Sequence, residues 1–133
     1  MLEAELFEIR INDLESEQII ILAEKEGDRY LPIVIGPCEA NAIRSQVHGG
    51  QPLRPMTHDL LRNVITTLGG EVTRIVVSDL SNRTFFAQIV VDTSDEEVII
   101  DARPSDAIAL AVRVGCPIYI EEHVLEKNES EGM

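Results

Sequence analysis

Three β-type segments follow one another before any helical periodicity appears, and that order constrains the fold most. Leu6 to Ile11 alternates, with Phe7, Ile9 and Ile11 on one face, and Gln18 to Ala23 is a short continuous apolar run of the kind that fills a central strand. Arg29 to Ile35 follows across the turn sequence Glu26-Gly27-Asp28, and its Pro32, lacking an N–H, implies a sheet edge or a bulge. Helical spacing then covers about 38–48 and about 57–69, separated by the loop Gly49-Gly50-Gln51-Pro52. The second helix carries Leu60, Leu61, Val64, Ile65 and Leu68 on one apolar face, and Gly69-Gly70 stops it. Arg74 to Leu80 and Thr84 to Asp92 read as a hairpin around Ser81-Asn82-Arg83. Val98 to Asp101 is a further strand, about 104–114 a third helix ended by Gly115, and Ile118-Tyr119-Ile120 a last short strand before a short helix or frayed acidic tail. Strands grouped in runs argue against a doubly wound sheet. They predict an α+β fold: a mixed or largely antiparallel sheet with about three main helices, in one compact domain over 1–125 with an acidic tail at 126–133.

A chain of 133 residues is long enough for one hydrophobic core but not two, and 44% hydrophobic residues in regular periodicity argue against disorder. No N-terminal stretch pairs a basic segment with an apolar one, and no apolar run approaches the roughly 18 residues that span a bilayer, so a cytoplasmic protein without membrane contact is expected. Cys38 and Cys116 each adjoin a proline and show no zinc spacing, which predicts buried, reduced thiols.

Chemistry concentrates at two strand-or-loop-to-helix junctions. Asp101-Ala102-Arg103-Pro104-Ser105-Asp106 joins a buried strand to a helix whose first position suits Pro104. Free N–H groups and the positive end of the helix dipole, beside Arg103 and Ser105, favour an anion such as phosphate. Asp101 and Asp106 could instead hold a divalent cation, and all of these residue types also serve as plain helix caps. Arg54-Pro55-Met56-Thr57-His58-Asp59 repeats the pattern, with Thr57 as the expected N-cap and His58 and Asp59 in the first turn. Histidine is the side chain that takes or gives a proton near neutrality, and a helix N-terminus favours its neutral form. The two junctions are expected to open into one pocket containing Arg54, His58, Arg103 and Asp106. A third junction, Leu31 to Ile43, ends a strand at Gly36-Pro37 and opens a helix with Glu39 in or near its first turn.

Three runs in one order, Leu-Pro-Ile-x-Ile-Gly-x-x-Glu-Ala at 31–40, Arg-Pro-x-Thr-His-Asp-Leu-Leu at 54–61 and Asp-x-Arg-Pro-Ser-Asp-Ala-Ile at 101–108, make the chain resemble the bifunctional nuclease family from about Leu14 to about Glu122. The resemblance implies cleavage of RNA, DNA or both.

Net charge of −13 opposes a polyanionic substrate, but residues 29–68 carry two acids against four bases and are the one positive segment. That segment holds Glu39, Arg54, His58 and Asp59. Phosphate binding there should be weak, salt-sensitive and helped by a divalent cation such as Mg²⁺ or Mn²⁺. The glycine pairs lack phosphate-loop spacing, no G-x-S-x-G elbow surrounds Ser105, and 4% aromatic content argues against a stacking platform along a single strand.

The expected function is therefore hydrolysis of phosphodiester bonds. Its catalytic pool is His58, Asp59, Glu39 and Asp106, with His58 as general base or acid; Arg54, Arg103, Ser105 and Thr57 bind substrate; Asp101, Asp106 and Glu39 are the cation ligands. The competing class is a non-catalytic oligomeric module that binds an anionic ligand or partner. In either class a homo-oligomer, a dimer first of all, is expected, with Leu or Ile on the edge strand around Pro32 mediating self-association.

Overall fold

The computed structural model describes residues 1–12, 14, 17–49 and 52–131. The elements run β1 (Leu2–Arg10), β2 (Gln18–Glu24), β3 (Tyr30–Ile35), α1 (Pro37–Val47), α2 (Thr57–Thr67), β4 (Glu71–Ser81), β5 (Thr84–Asp92), β6 (Glu97–Ala102), α3 (Pro104–Val114), β7 (Ile118–Ile120) and α4 (Glu122–Glu131). The loop expected at 49–52 lies partly outside the described residues.

The seven strands form one sheet in the order β3-β2-β1-β7-β4-β5-β6. Every pairing is antiparallel except β4 with β7, so the fold is α+β with a mixed sheet. Three residues of β7 join the two halves, pairing Ile118 to Ala4 on one side and to Ile75 on the other. Pro32 sits on an edge strand, as a residue without a ladder donor must.

A bulge between Leu6 and Glu8 changes the phase of β1. Leu6, Ile9 and Ile11 therefore pack on the core while Phe7 is turned out, edge-on to Tyr30 with ring centroids 5.1 Å apart. This corrects the simple alternation that placed Phe7 with Ile9. β1 also begins at Leu2 rather than Leu6, because pairing with β7 extends it.

α3 is the most buried helix. Ala107, Ile108, Ala109 and Leu110 are fully covered, and the helix contacts α1, α2, β4 and β5. Small side chains at 107, 109 and 111 let these neighbours approach. Gly115 closes the helix in the left-handed region at φ 76°, where a Cβ is unfavourable. Val124 and Leu125 bury α4, which packs on β4, and Lys127 donates to Asp79 at 3.0 Å and to the Leu80 carbonyl at 3.2 Å.

Three expectations of burial change. On β3, Leu31, Ile33 and Ile35 are buried, so the exposed residues there are Tyr30, Pro32 and Val34 and no Leu or Ile is free to self-associate. On α2, Leu61 and Ile65 pack on the core while Leu60, Val64 and Leu68 face outward, because the helix packs chiefly against α3 on a stripe narrower than its apolar face. Cys38 is exposed and Cys116 half-buried rather than both buried; both are free thiols, and burial pushes the Cys116 thiol up. No helix among the described residues is long and apolar enough to cross a membrane.

Candidate active site

The N-termini of α1, α2 and α3 converge. Pro37 and Pro104 occupy the opening of α1 and α3, and each helix carries an acid in its first turn: Glu39, Asp59 and Asp106, which the helix dipole favours. Met56, not Thr57, is the N-cap of α2. Thr57 is already helical and exposed, because the cap is supplied from the far side, by the Asp59 carboxylate accepting the Met56 N–H at 2.9 Å.

Between α2 and α3, His58 Nε2 lies 2.9 Å from Asp106 Oδ1, although the residues are 48 positions apart. Asp106 Oδ2 accepts from Arg103 Nε at 2.9 Å, and Arg103 also reaches Glu39 Oε2 at 3.3 Å. One chain of polar contacts, His58–Asp106–Arg103–Glu39, thus links the three helix starts. Burial works to raise the Asp106 carboxyl, but the His58 and Arg103 contacts overcome it and hold the group below the ordinary carboxylate range. Hydrogen bonding to Asp106 in turn raises Arg103.

A second pair anchors the first. Arg113, with its side chain buried, donates from Nε to Asp59 Oδ1 at 2.8 Å, from Nη1 to the Ala109 carbonyl at 2.9 Å and from Nη2 to the Ala42 carbonyl at 3.2 Å. One guanidinium therefore ties α1, α2 and α3 together directly behind the polar chain. Burial would raise Asp59, yet the Met56 N–H and Arg113 bring it below its ordinary value. Arg113 was missed in the sequence, where its place in the last turn of α3 reads as a dipole partner. The available signal is a charge four residues after Ala109 on a stripe otherwise apolar.

A cleft of about 700 Å³ opens beside the chain of contacts, and Glu39, Arg103 and Ser105 line it. His58 and Asp106 stand behind Arg103 and do not line it. Its other walls are Pro32 to Gly36 of β3 and its end, Leu80, Thr84 and Phe85 of the β4–β5 hairpin, Arg83 in the hairpin turn, and Glu17 and Asn128. Arg83, Phe85 and the β3 edge are cleft residues that local pattern could not supply, since the curled sheet alone brings the hairpin to β3.

The remaining candidates lie apart. Arg54 is exposed, does not line the cleft and makes no ion pair among the described residues. On β6, Asp101 pairs with Gln88 of β5 and alternates with Ala102, which packs on the core, so its side chain takes the opposite face of the sheet. The pair Asp101–Asp106 is thus not brought together. Among the described residues no group of three or more His, Cys, Asp and Glu is placed to hold a metal ion. Glu39 and Asp106, facing one guanidinium, are the two carboxylates that share a space, a donor set that suits Mg²⁺ retaining waters and shared with a phosphate.

The bifunctional nuclease domain model matches residues 20–132, which contain every one of these groups except Glu17. An uncharacterized protein of Mycobacterium tuberculosis is 43% identical over 123 residues, spanning 92% of this chain and 73% of its own length. Bifunctional nuclease 1 of Arabidopsis thaliana is 28% identical over 116 residues, 84% of this chain and 36% of that protein. Bifunctional nuclease 2 of Oryza sativa is 25% identical over 105 residues, 77% of this chain and 32% of that protein. The chain accordingly spans about a third of the length of these plant relatives. With the family model covering most of its length, and the three helix starts falling inside the match, the chain belongs to the bifunctional nuclease domain family.

Proposed function

We propose that the protein hydrolyses phosphodiester bonds of RNA, DNA or both at the cleft bordered by Glu39 and Arg103. The observation that supports this most is the chain His58–Asp106–Arg103–Glu39 ending in a cleft. Arg103, two-thirds exposed at its side chain, has the planar fork that binds phosphate oxygens and stabilises charge developing on them. Glu39, mostly covered, is the carboxylate that both lines the cleft and meets Arg103, and it takes the proton from the attacking water. Asp106 aims the guanidinium, and His58, hydrogen-bonded to Asp106 Oδ1, holds that carboxylate in place. Ser105 lines the cleft for a substrate contact, while Asp59 holds the start of α2 in place. Thr57 and Arg54, at the exposed entry to α2, are left for contacts farther along a strand.

Glu39 and Asp106 would hold a divalent cation, Mg²⁺ or Mn²⁺, when phosphate draws Arg103 toward itself; the ion would neutralise charge on the phosphate. The reading places the protein in the cytoplasm with its thiols reduced, and as a homodimer formed through Leu60, Val64 and Leu68 on α2, a stripe left exposed on a helix that shows no acid to solvent. That stripe is the observation favouring the alternative, a binding module without catalysis. Cleavage of labelled single-stranded RNA and DNA with Mg²⁺ or Mn²⁺, abolished by chelator and by Glu39→Gln, is expected. Purified protein that leaves both substrates intact under every metal removes the hydrolase reading.

A further inference from the structure

One wall of the cleft is a strand edge rather than a side-chain face. Five consecutive residues, 32 to 36, line the cleft, whereas one face of a strand would contribute every second residue. Among the described residues no strand pairs with the outer edge of β3. Pro32 stands opposite Ile21 in the ladder with β2, and a proline keeps such a place only where its nitrogen points away from the partner. By the two-residue repeat, Val34, opposite Ile19, also turns its N–H and C=O to the open side. The cleft wall thus presents the Pro32 carbonyl and the Val34 N–H and carbonyl in a row, an acceptor–donor–acceptor edge.

The same cleft is lined by an aromatic ring and two guanidinium-bearing residues. Phe85 is half-buried in the wall. Arg83 occupies the second position of a two-residue turn, after Asn82, with both residues at positive φ, 51° and 63°. Such a turn favours glycine at that second position, and arginine there carries backbone strain that glycine would not. The strained residue is the one whose side chain borders the cleft together with Arg103.

We propose that this cleft is a slot for one unpaired nucleobase of the strand being cleaved. The Val34 main chain meets the base edge, Phe85 its face, and Arg83 and Arg103 the phosphates on either side. This rests on the phosphodiester reading and adds a selection that the reading does not contain. A base inside a duplex has its edge paired and its faces stacked, so it can enter only after being unpaired. One slot needs one aromatic ring, so low aromatic content is no obstacle; a platform for successive bases would need several. Arg83 and Arg103 in the lining offset the carboxylates of Glu17 and Glu39 and offer contacts for phosphate, whereas an extended peptide would use the edge alone.

Anisotropy of a short labelled single-stranded DNA reads binding apart from cleavage. Single strand should bind at least about tenfold tighter than the same sequence in a duplex. Arg83→Gly and Val34→Pro should each weaken single-strand binding about tenfold and leave duplex binding unchanged. Arg83→Gly suits the positive-φ turn, and Val34→Pro deletes an N–H that the β2 ladder does not use. Thermal melting of both variants checks this. Equal binding of single strand and duplex, or parental binding by both folded variants, overturns the slot. Slot-pattern binding with no cleavage under any metal upholds the slot and removes the hydrolase. Cleavage of both strand types alike, with parental variants, does the reverse. A Val34 amide signal that moves with an extended peptide and not with the oligonucleotide assigns the edge to peptide pairing and overturns the proposal.

Discussion

Removing the Asp59 carboxylate should cost this fold more than any other single polar change. The Arg113 side chain is 1% exposed and its ion-pair partner Asp59 12%, so Asp59→Ala strands a guanidinium where water cannot solvate it. Breaking a buried pair from one side costs about 3–5 kcal/mol, and losing the bond to the Met56 N–H adds about 1 kcal/mol of helix capping. A domain of this length has roughly 7–20 kcal/mol in total, so a loss of about 4–6 kcal/mol is a large share. At about 3–5 °C per kcal/mol for this size, Tm should fall by roughly 12–30 °C. Urea unfolding of the parent, Asp59→Ala, Arg113→Met and the double variant gives the coupling. The double variant should be more stable than the sum of the singles by about 1–3 kcal/mol, because the uncharged thioether that replaces the guanidinium no longer needs a partner. The pH dependence has a definite sign. The folded-state carboxyl lies below its ordinary 3.8, so its stabilisation is fully present above that value and is lost as pH falls further. Parent and Asp59→Ala should therefore converge only below about pH 4. An Asp59→Ala variant within about 1 kcal/mol of the parent at pH 7, or strict additivity of the two changes, would refute the idea that this pair pins the helix starts.

A Cβ on Gly36 would lie 2.8 Å from Glu39 Oε1, and the glycine sits at φ −80°, which alanine adopts freely; Gly36→Ala should displace the Glu39 carboxylate and lower turnover while leaving Tm within a few degrees, and parental turnover counts against Glu39 as the base. His58→Ala, folded by circular dichroism, removes one of the two contacts that hold Asp106 and should lower turnover by releasing Arg103; parental turnover takes His58 out of the machinery. With Arg83 and Arg103 as the two phosphate contacts, the logarithm of single-strand affinity should fall against the logarithm of salt with a slope of about −1.4; a slope near zero means these guanidiniums do not meet phosphate. Leu60→Glu with Leu68→Glu should shift the mass seen by light scattering from dimer to monomer without loss of fold, and an unchanged mass leaves the α2 stripe without that role.

The strands and helices were legible because each carries its own period. Pro104 and Gly115 bound α3 at the expected residues, and Pro32 announced an edge. The three motifs marked which junctions matter, since a helix start states its chemistry in six consecutive residues. Distance along the chain hid the rest. His58 meets Asp106, Asp59 meets Arg113 and Arg103 meets Glu39 only because α3 packs between α1 and α2. Local spacing grouped Asp101 with Asp106, but a strand alternates where a helix turns, and the two side chains part at that junction. The bulge that turns Phe7 outward and the exposure of Leu60, Val64 and Leu68 likewise follow from which surface covers each residue, not from its own hydrophobicity. The cleft wall at Val34 is the plainest case: its hydrogen-bonding groups are main-chain atoms that every residue possesses, and only the place of β3 at the end of the sheet leaves them without a strand partner among the described residues.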